Sequence, residues 1–213
     1  MEIKRFIGGI LEANCYVVSQ RRGGDSDAKA GCFVIDPGYY PARVEKYIKE
    51  NAFAPEGIIL THHHSDHSGA AERLKKELGC PIMIHREDAD RFRGEADRLL
   101  EDGDVLTIGE SGMGKGADTV RLVVIHTPGH TKGGICLMAE KDRVCFTGDT
   151  IFNVDLGRTD LGDGSYEEMT DSILNVVNKW GNDVTIYPGH GDPATMKTVR
   201  KINLEFLEIV NGN

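Results

Sequence analysis

The amino-acid sequence predicts a layered α/β sandwich rather than a doubly wound parallel sheet. Three observations point there. Short apolar runs of strand length alternate with amphipathic stretches from end to end, strict strand–helix alternation is missing, and a helical segment closes the chain. At 213 residues, with 39% hydrophobic and 28% charged residues, the chain can build one substantial core and is short for two full domains. A single domain over residues 1–213 is therefore expected.

Ile3 to Ile7, Asn14 to Ser19 and Gly31 to Asp36 read as short strands. The last two flank a polar, Gly-rich stretch, Arg21 to Lys29, expected to be a hairpin loop. Pro41 to Glu50 has helical spacing, with Val44, Tyr47 and Ile48 on one side. Gly57 to Leu60 is a brief buried strand that runs straight into Thr61-His62-His63-His64-Ser65-Asp66-His67. Ser68 to Leu78 reads as a helix stopped by Gly79. A strand at Pro81 to Ile84 leads into Arg86 to Arg98, whose charge content suggests helix, and a Gly-rich turn follows around Ser111 to Gly116. Three strands are expected next, at Thr119 to Ile125, Gly134 to Ala139 and Arg143 to Thr147. Ser165 to Lys179 is an amphipathic helix, Val184 to Tyr187 a strand, and Pro193 to Val210 a closing helix with proline in its first turn.

Composition excludes several function classes. The net charge is −9 and no basic stripe is present, so nucleic acid is not an expected partner. No run approaches the roughly 18 apolar residues of a membrane span, and the charged Met1-Glu2-Ile3-Lys4-Arg5 start is unlike a secretory signal. A cytoplasmic protein is expected. The five cysteines, Cys15, Cys32, Cys80, Cys136 and Cys145, are odd in number and form no CxxC pair. They read as buried reduced thiols rather than a disulfide framework or thiolate zinc site.

Four of the eight histidines lie within six residues, in the spacing His62-x-His64-x-Asp66-His67. Imidazole nitrogens and carboxylate oxygens suit zinc, iron or manganese. Ser65 or Asp66 could instead serve only to cap the following helix, but one cap leaves three histidines unexplained. Three further turns repeat one pattern, in which a strand ends, a glycine turns the backbone, and a ligand-type side chain follows: Gly129-His130, Gly148-Asp149 and Gly189-His190. His63 is expected to point away from the cluster, His85 to be structural, His126 to support its own turn, and Asp36 to back the ligands from behind.

With these motifs in place the chain resembles the metallo-β-lactamase superfamily, from Asp36-Pro37-Gly38 through to His190. The resemblance implies a four-layer αββα sandwich with two divalent ions at one edge. One ion would be held by His62, His64 and His130, the other by Asp66, His67 and His190, with Asp149 bridging both. Zinc is the first choice of metal. Paired ions of this kind lower the pKa of bound water toward about 7, and the resulting metal-bound hydroxide, with Asp66 beside it, would attack a carbonyl carbon.

Within that superfamily, Asp149 stands where common zinc β-lactamases carry cysteine, which disfavours antibiotic hydrolysis. Asn14-Cys15-Tyr16, Asp36-Pro37-Gly38 and Gly157-Arg158-Thr159-Asp160 resemble the small glyoxalase II-like hydroxyacylglutathione hydrolases. That likeness implies hydrolysis of a small-molecule thioester such as S-lactoylglutathione, with Arg158 as a substrate contact. Arg158 reads equally well as the partner of Asp155 or Asp160 in a loop salt bridge. Asp160 occupies what looks like a tyrosine position, and a single helix is expected after His190 where full-length relatives carry a helical domain, so glutathione recognition must be rearranged. The rival readings are a mononuclear-iron persulfide dioxygenase, which resembles the chain in the same motifs, and a non-catalytic metal-binding member.

Overall fold

The computed structural model describes residues 1–21, 29–109 and 119–212. The expected loop at 21–29 lies largely outside them and the turn at 111–116 wholly so. Two six-stranded sheets face each other. The first runs in sequence order: β1 (Glu2–Gly8), β2 (Ala13–Ser19), β3 (Gly31–Ile35), β4 (Ala54–Leu60), β5 (Ile82–His85) and β6 (Arg98–Leu100). The second runs in reverse, from β12 (Ala194–Thr195) through β11 (Thr185–Pro188), β10 (Val144–Gly148), β9 (Ile135–Ala139) and β8 (Val120–His126) to β7 (Val105–Ile108).

Period-two alternation explains why so many strands read as unbroken apolar runs. In β3, Phe33 and Ile35 point between the sheets, while Cys32 and Val34 point to the outer helices. In β9, Ile135, Leu137 and Ala139 face the other sheet and Cys136 and Met138 face outward. A strand buried on both faces has no polar side to show. Three apolar layers result. The central one lies between the sheets, a second packs under α1 (Pro41–Glu50) and α3 (Ala71–Leu78), and a third under α5 (Tyr166–Asn175), α6 (Met196–Ile202) and α7 (Leu204–Asn211). This is the αββα order, and each fully buried Ile, Leu or Phe in it stabilises the fold by about 1.5–3 kcal/mol. All five cysteines are free and buried in these layers.

Strand direction places the site. β10 and β11 are parallel, and Gly148 pairs with Pro188, so the residues that follow each, Asp149 and Gly189-His190, emerge side by side. β8 is antiparallel to β9, which is antiparallel to β10, so β8 also ends at that edge. In the first sheet β4 ends there too. Asn14 and Tyr16 of β2 stitch the sheets together: Asn14 Nδ2 donates to the carbonyls of Pro188 at 2.9 Å and Gly191 at 2.8 Å, and Tyr16 Oη donates to Pro188 O at 2.6 Å.

Four helical expectations change. Ser68 to Leu78 becomes a one-turn α2 (Ser65–Ser68) and a separate α3, with Gly69 between them. Arg86 to Arg98 is helical only over α4 (Arg86–Ala89), because its later residues turn back and form β6 parallel to β5. Ser165 is the N-cap of α5, its hydroxyl accepting from Glu168 N at 3.3 Å, and α5 stops at Asn175 before a short 3₁₀ turn. The closing segment begins as β12 rather than at Pro193, and it splits into α6 and α7 at Asn203. Two helices therefore follow His190, not one. Strands β6, β7 and β12 were not anticipated.

Candidate metal centre

The seven side chains singled out by sequence come together at the shared edge. His64 Nδ1 lies 2.9 Å from His130 Nε2, and with His62 these form one group whose ligand atoms lie within 4.8 Å of one another. His67 Nε2 lies 3.1 Å from His190 Nε2, and Asp66 Oδ2 is 3.4 Å from His190 and 3.6 Å from His67. Asp149 sits between the groups: its Oδ1 is 3.4 Å from His67 Nε2, and its Oδ2 is 3.5 Å from both His130 Nε2 and His190 Nε2. Gly189 makes the approach possible. A Cβ there would stand 2.1 Å from Asp149 Oδ1 and 2.7 Å from the His67 ring.

Hydrogen bonds on the far side of three rings, those of His62, His130 and His190, decide which of their nitrogens face the centre. His130 Nδ1 donates to Arg158 O at 2.7 Å and His190 Nδ1 to Leu11 O at 2.8 Å. A carbonyl only accepts, so each Nδ1 carries a proton and each Nε2 is the nitrogen turned inward. Asp36 serves two more. The Thr61 hydroxyl donates to Asp36 Oδ2 at 2.6 Å and is therefore left to accept from His62 Nδ1 at 3.1 Å. Asp36 Oδ2 also faces His67 Nδ1 at 3.3 Å. Thr61 N donates to Asp36 Oδ1 at 2.7 Å, completing the carboxylate's shell. The backing role expected of Asp36 is thus visible atom by atom.

Ring nitrogens this close, 2.9 Å for His64 and His130 and 3.1 Å for His67 and His190, must share either a proton or a cation. The buried His62 Nε2 and Asp149 Oδ1 have no hydrogen-bond partner. Such orphaned acceptors, drawn from imidazole and carboxylate, are the chemistry a divalent ion of borderline softness satisfies. The residues fit a metal pair.

Electrostatics separate the two groups. Burial, and after it the neighbouring histidines His130 and His63, pushes His64 down to about 4. Burial, then His67 and His130, lowers His62 as well. Burial would raise Asp66 and Asp149, yet the adjacent imidazoles outweigh it, holding Asp66 at about 2 and Asp149 below the usual carboxylate range. Burial would lower His190, but the Asp149 and Asp66 carboxylates lift it to about 10. Burial would lower His67 too, but the Asp149 carboxylate raises it. Neutral imidazoles and ionised carboxylates are the forms that ligate metals, so His62, His64 and both carboxylates are ready, while His67 and His190 must give up a proton as a cation takes its place.

The remaining histidines fall where sequence reasoning put them. His63 turns away, its Nδ1 3.0 Å and its backbone N 2.8 Å from Asp88 Oδ2. His85 Nδ1 accepts from Glu87 N at the start of α4, and its ring stacks on His126 at 4.1 Å. His126 Nε2 donates to Lys132 O at 2.8 Å, bracing the turn that carries His130.

Sequence reasoning missed Asp88. This fully buried carboxylate also accepts from Thr131 Oγ1 at 2.9 Å and Gly133 N at 2.6 Å. It clamps the loop bearing His62 and His64 to the loop bearing His130. Asp88 sits with His63 and Asp163 in a further potential ligand group, but its Oδ2 already takes three donors. Its only signal in the sequence was a carboxylate in a charged run just past a strand.

A cleft of about 640 Å³ opens onto the centre. Leu11, Phe152, Val154, Leu156 and Leu161 make much of it apolar, and Asp66, Asp149 and Asp155 supply charge. Its wall depends on the helix break: Asn203 Nδ2 donates to Phe152 O at 3.1 Å and Asp155 O at 2.8 Å, while its Oδ1 caps α7 through Phe206 N at 2.9 Å. Arg158 reaches the cleft, but its guanidinium is bidentate with Asp160 at 2.7 and 2.8 Å and well exposed. Asp160, not Asp155, is the salt-bridge partner.

With fold and site in view, comparison with known proteins is direct. Residues 8–190 match the metallo-beta-lactamase superfamily, and the chain belongs to it. Members bind divalent metals, and the membership supports a hydrolase-type enzyme. An uncharacterized protein of Mycobacterium leprae, ML0493, is 33% identical over 98% of this chain and 99% of its own length. The hydroxyacylglutathione hydrolase GloC of Haemophilus influenzae is 31% identical over 83% of this chain and 88% of its own. Among solved structures, the BLEG-1 B3 metallo-beta-lactamase superposes with a TM-score of 0.80 at 27% identity, covering 95% of this chain and 98% of that one.

Proposed function

We propose that the chain is one metallo-β-lactamase-type domain that hydrolyses small-molecule thioesters with a pair of divalent ions, zinc first and iron or manganese as alternatives. His62, His64 and His130 would hold one ion, Asp66, His67 and His190 the other, and Asp149 would touch both. The observation that carries this reading is the set of inward-facing imidazole nitrogens around Asp149, opening directly into an apolar-walled cleft. When bound, the ions supply an activated water and polarise the carbonyl it attacks.

The chain's own residues set the rest. Thr61, backed by Asp36, and the carbonyls of Arg158 and Leu11 fix the rings of His62, His130 and His190, and Asp36 faces His67 from behind, so little reorganisation is needed when substrate arrives. Asp66 stands at the cleft mouth as an ionised acceptor, able to orient water by taking its hydrogen bond. The apolar wall excludes bulk water, and a thiolate leaving group needs no general acid. GloC's named activity supports a thioester substrate. Arg158, tied to Asp160, would contact substrate only by releasing that partner. The partner we expect is a small molecule, not nucleic acid or a membrane. Among the described residues no helix is long and apolar enough to cross a bilayer, and the free cysteines suit a cytoplasmic setting.

The test is hydrolysis of S-lactoylglutathione by metal-loaded protein, followed as thiol release, with oxygen uptake on glutathione persulfide run in parallel. Thiol release alone supports the proposal. Oxygen uptake without thioester cleavage would replace it with the iron dioxygenase.

A further inference from the structure

A second pocket, about 560 Å³, lies on the other side of His64 and Ser65 from the cleft. Those two residues line both, so the spaces adjoin across the ligand loop. The pockets differ in chemistry. The cleft is apolar with carboxylates and one arginine, Arg158, whereas the second pocket is lined by Arg91, Arg93 and Glu72. Arg91 is held in place, its Nε 3.3 Å from the buried Asp163 carboxylate. Glu72 is engaged as well, its Oε1 accepting from Glu95 N at 2.7 Å. Arg93 makes no hydrogen bond or ion pair among the described residues. What sets this exposed guanidinium apart is its place in a pocket that His64 also lines.

We propose that this pocket binds the anionic end of the substrate's thiol carrier, with Arg93 as the principal contact and Arg91 as a fixed neighbouring charge. The inference rests on the thioester reading above. The acyl group would lie against Leu11, Phe152 and Leu156, the thioester carbonyl at the metal centre, and the carrier would cross His64 and Ser65. Guanidinium recognises carboxylate and phosphate oxygens alike, through paired N–H donors. Arg158 cannot fill this role while bound to Asp160.

Calorimetry on the metal-loaded protein tests the pocket directly, using S-methylglutathione for carboxylates and desulfo-coenzyme A for phosphates. Neither offers a thiol to a metal. The expected result is that at least one binds the wild type, that R93E weakens it roughly tenfold or more, and that R93K retains most of the affinity. The probe that binds identifies the anion. In turnover, R93E should raise KM for the matching thioester with little change in kcat, and leave an uncharged N-acetylcysteamine thioester unaffected. Failure of both probes to bind, equal binding by R93E, or equal loss with charged and uncharged substrates would overturn the proposal. Arg93-dependent binding without cleavage of any thioester would instead sink the hydrolase reading and leave the pocket standing.

Discussion

The two sheets contribute to the metal centre in opposite ways. The first delivers His62, His64, Asp66 and His67 on one loop after β4, and buried carboxylates orient that loop: Asp36 behind His62 and His67, Asp88 behind His63. The second delivers His130, Asp149 and His190 singly, from three strand ends, and backbone carbonyls orient both imidazoles. A carbonyl cannot be removed by substitution, but a carboxylate can. The first half is therefore the fragile one, where a single change disturbs several ligands at once.

Removing the residue that joins the halves should have the largest effect. Asp149→Ala should abolish turnover and sharply lower bound metal, measured by elemental analysis and steady-state kinetics; near-normal activity would break the shared-ligand arrangement. Next comes Asp36→Asn. Asparagine tolerates the φ of 51° at this position but presents a donor where Thr61 and His67 need an acceptor. Metal affinity should fall by about 10–100-fold, with His62 and His67 both perturbed in NMR spectra. A change in one ring alone would deny the common support.

Asp88→Asn should act on stability more than chemistry, costing about 2–3 kcal/mol by leaving buried donors facing an amide N–H. Burial pushes the Asp88 carboxyl up, but the His63 imidazole and the bonds from Thr131 and Gly133 hold it below the ordinary 3.8. A depressed folded-state pKa stabilises the native protein above the unfolded value. The gap between wild type and Asp88→Asn should thus be constant above about pH 4 and shrink as pH falls below 3.8, followed by urea unfolding. A gap that widened toward low pH would reverse that assignment. The smallest effect is expected for His63→Ala. Its ring faces Asp88, not the centre, so activity should stay within a few-fold. A collapse matching His62→Ala would show that the wrong histidines were assigned.

The same asymmetry governed what could be read without coordinates. His62 to His67 is a spacing signal within one loop, so ligand types and order were legible together. His130, Asp149 and His190 were legible only as three similar glycine turns; that they meet follows from β8, β10 and β11 ending at one edge, which no local pattern encodes. Asp36 stood out through its Asp-Pro-Gly turn, whereas Asp88 was masked by the charges of Arg86 to Arg98. That segment also misled as a helix: charge mimicked a solvated helical face, and the Arg98–Leu100 strand at its end is too short for a period to declare itself. Asn203 shows the converse. It lies inside the stretch expected as one closing helix, yet it caps α7 locally through Phe206 and ties down the cleft wall, and the wall bonds reach Phe152 and Asp155, 51 and 48 residues away.

The most direct test of the central claim is the metal-to-protein ratio of the purified chain. The inward nitrogens and carboxylates grouped on either side of Asp149 predict about two divalent ions per chain, falling together in Asp149→Ala. One ion per chain, unchanged by that substitution, would contradict a centre built around a shared carboxylate.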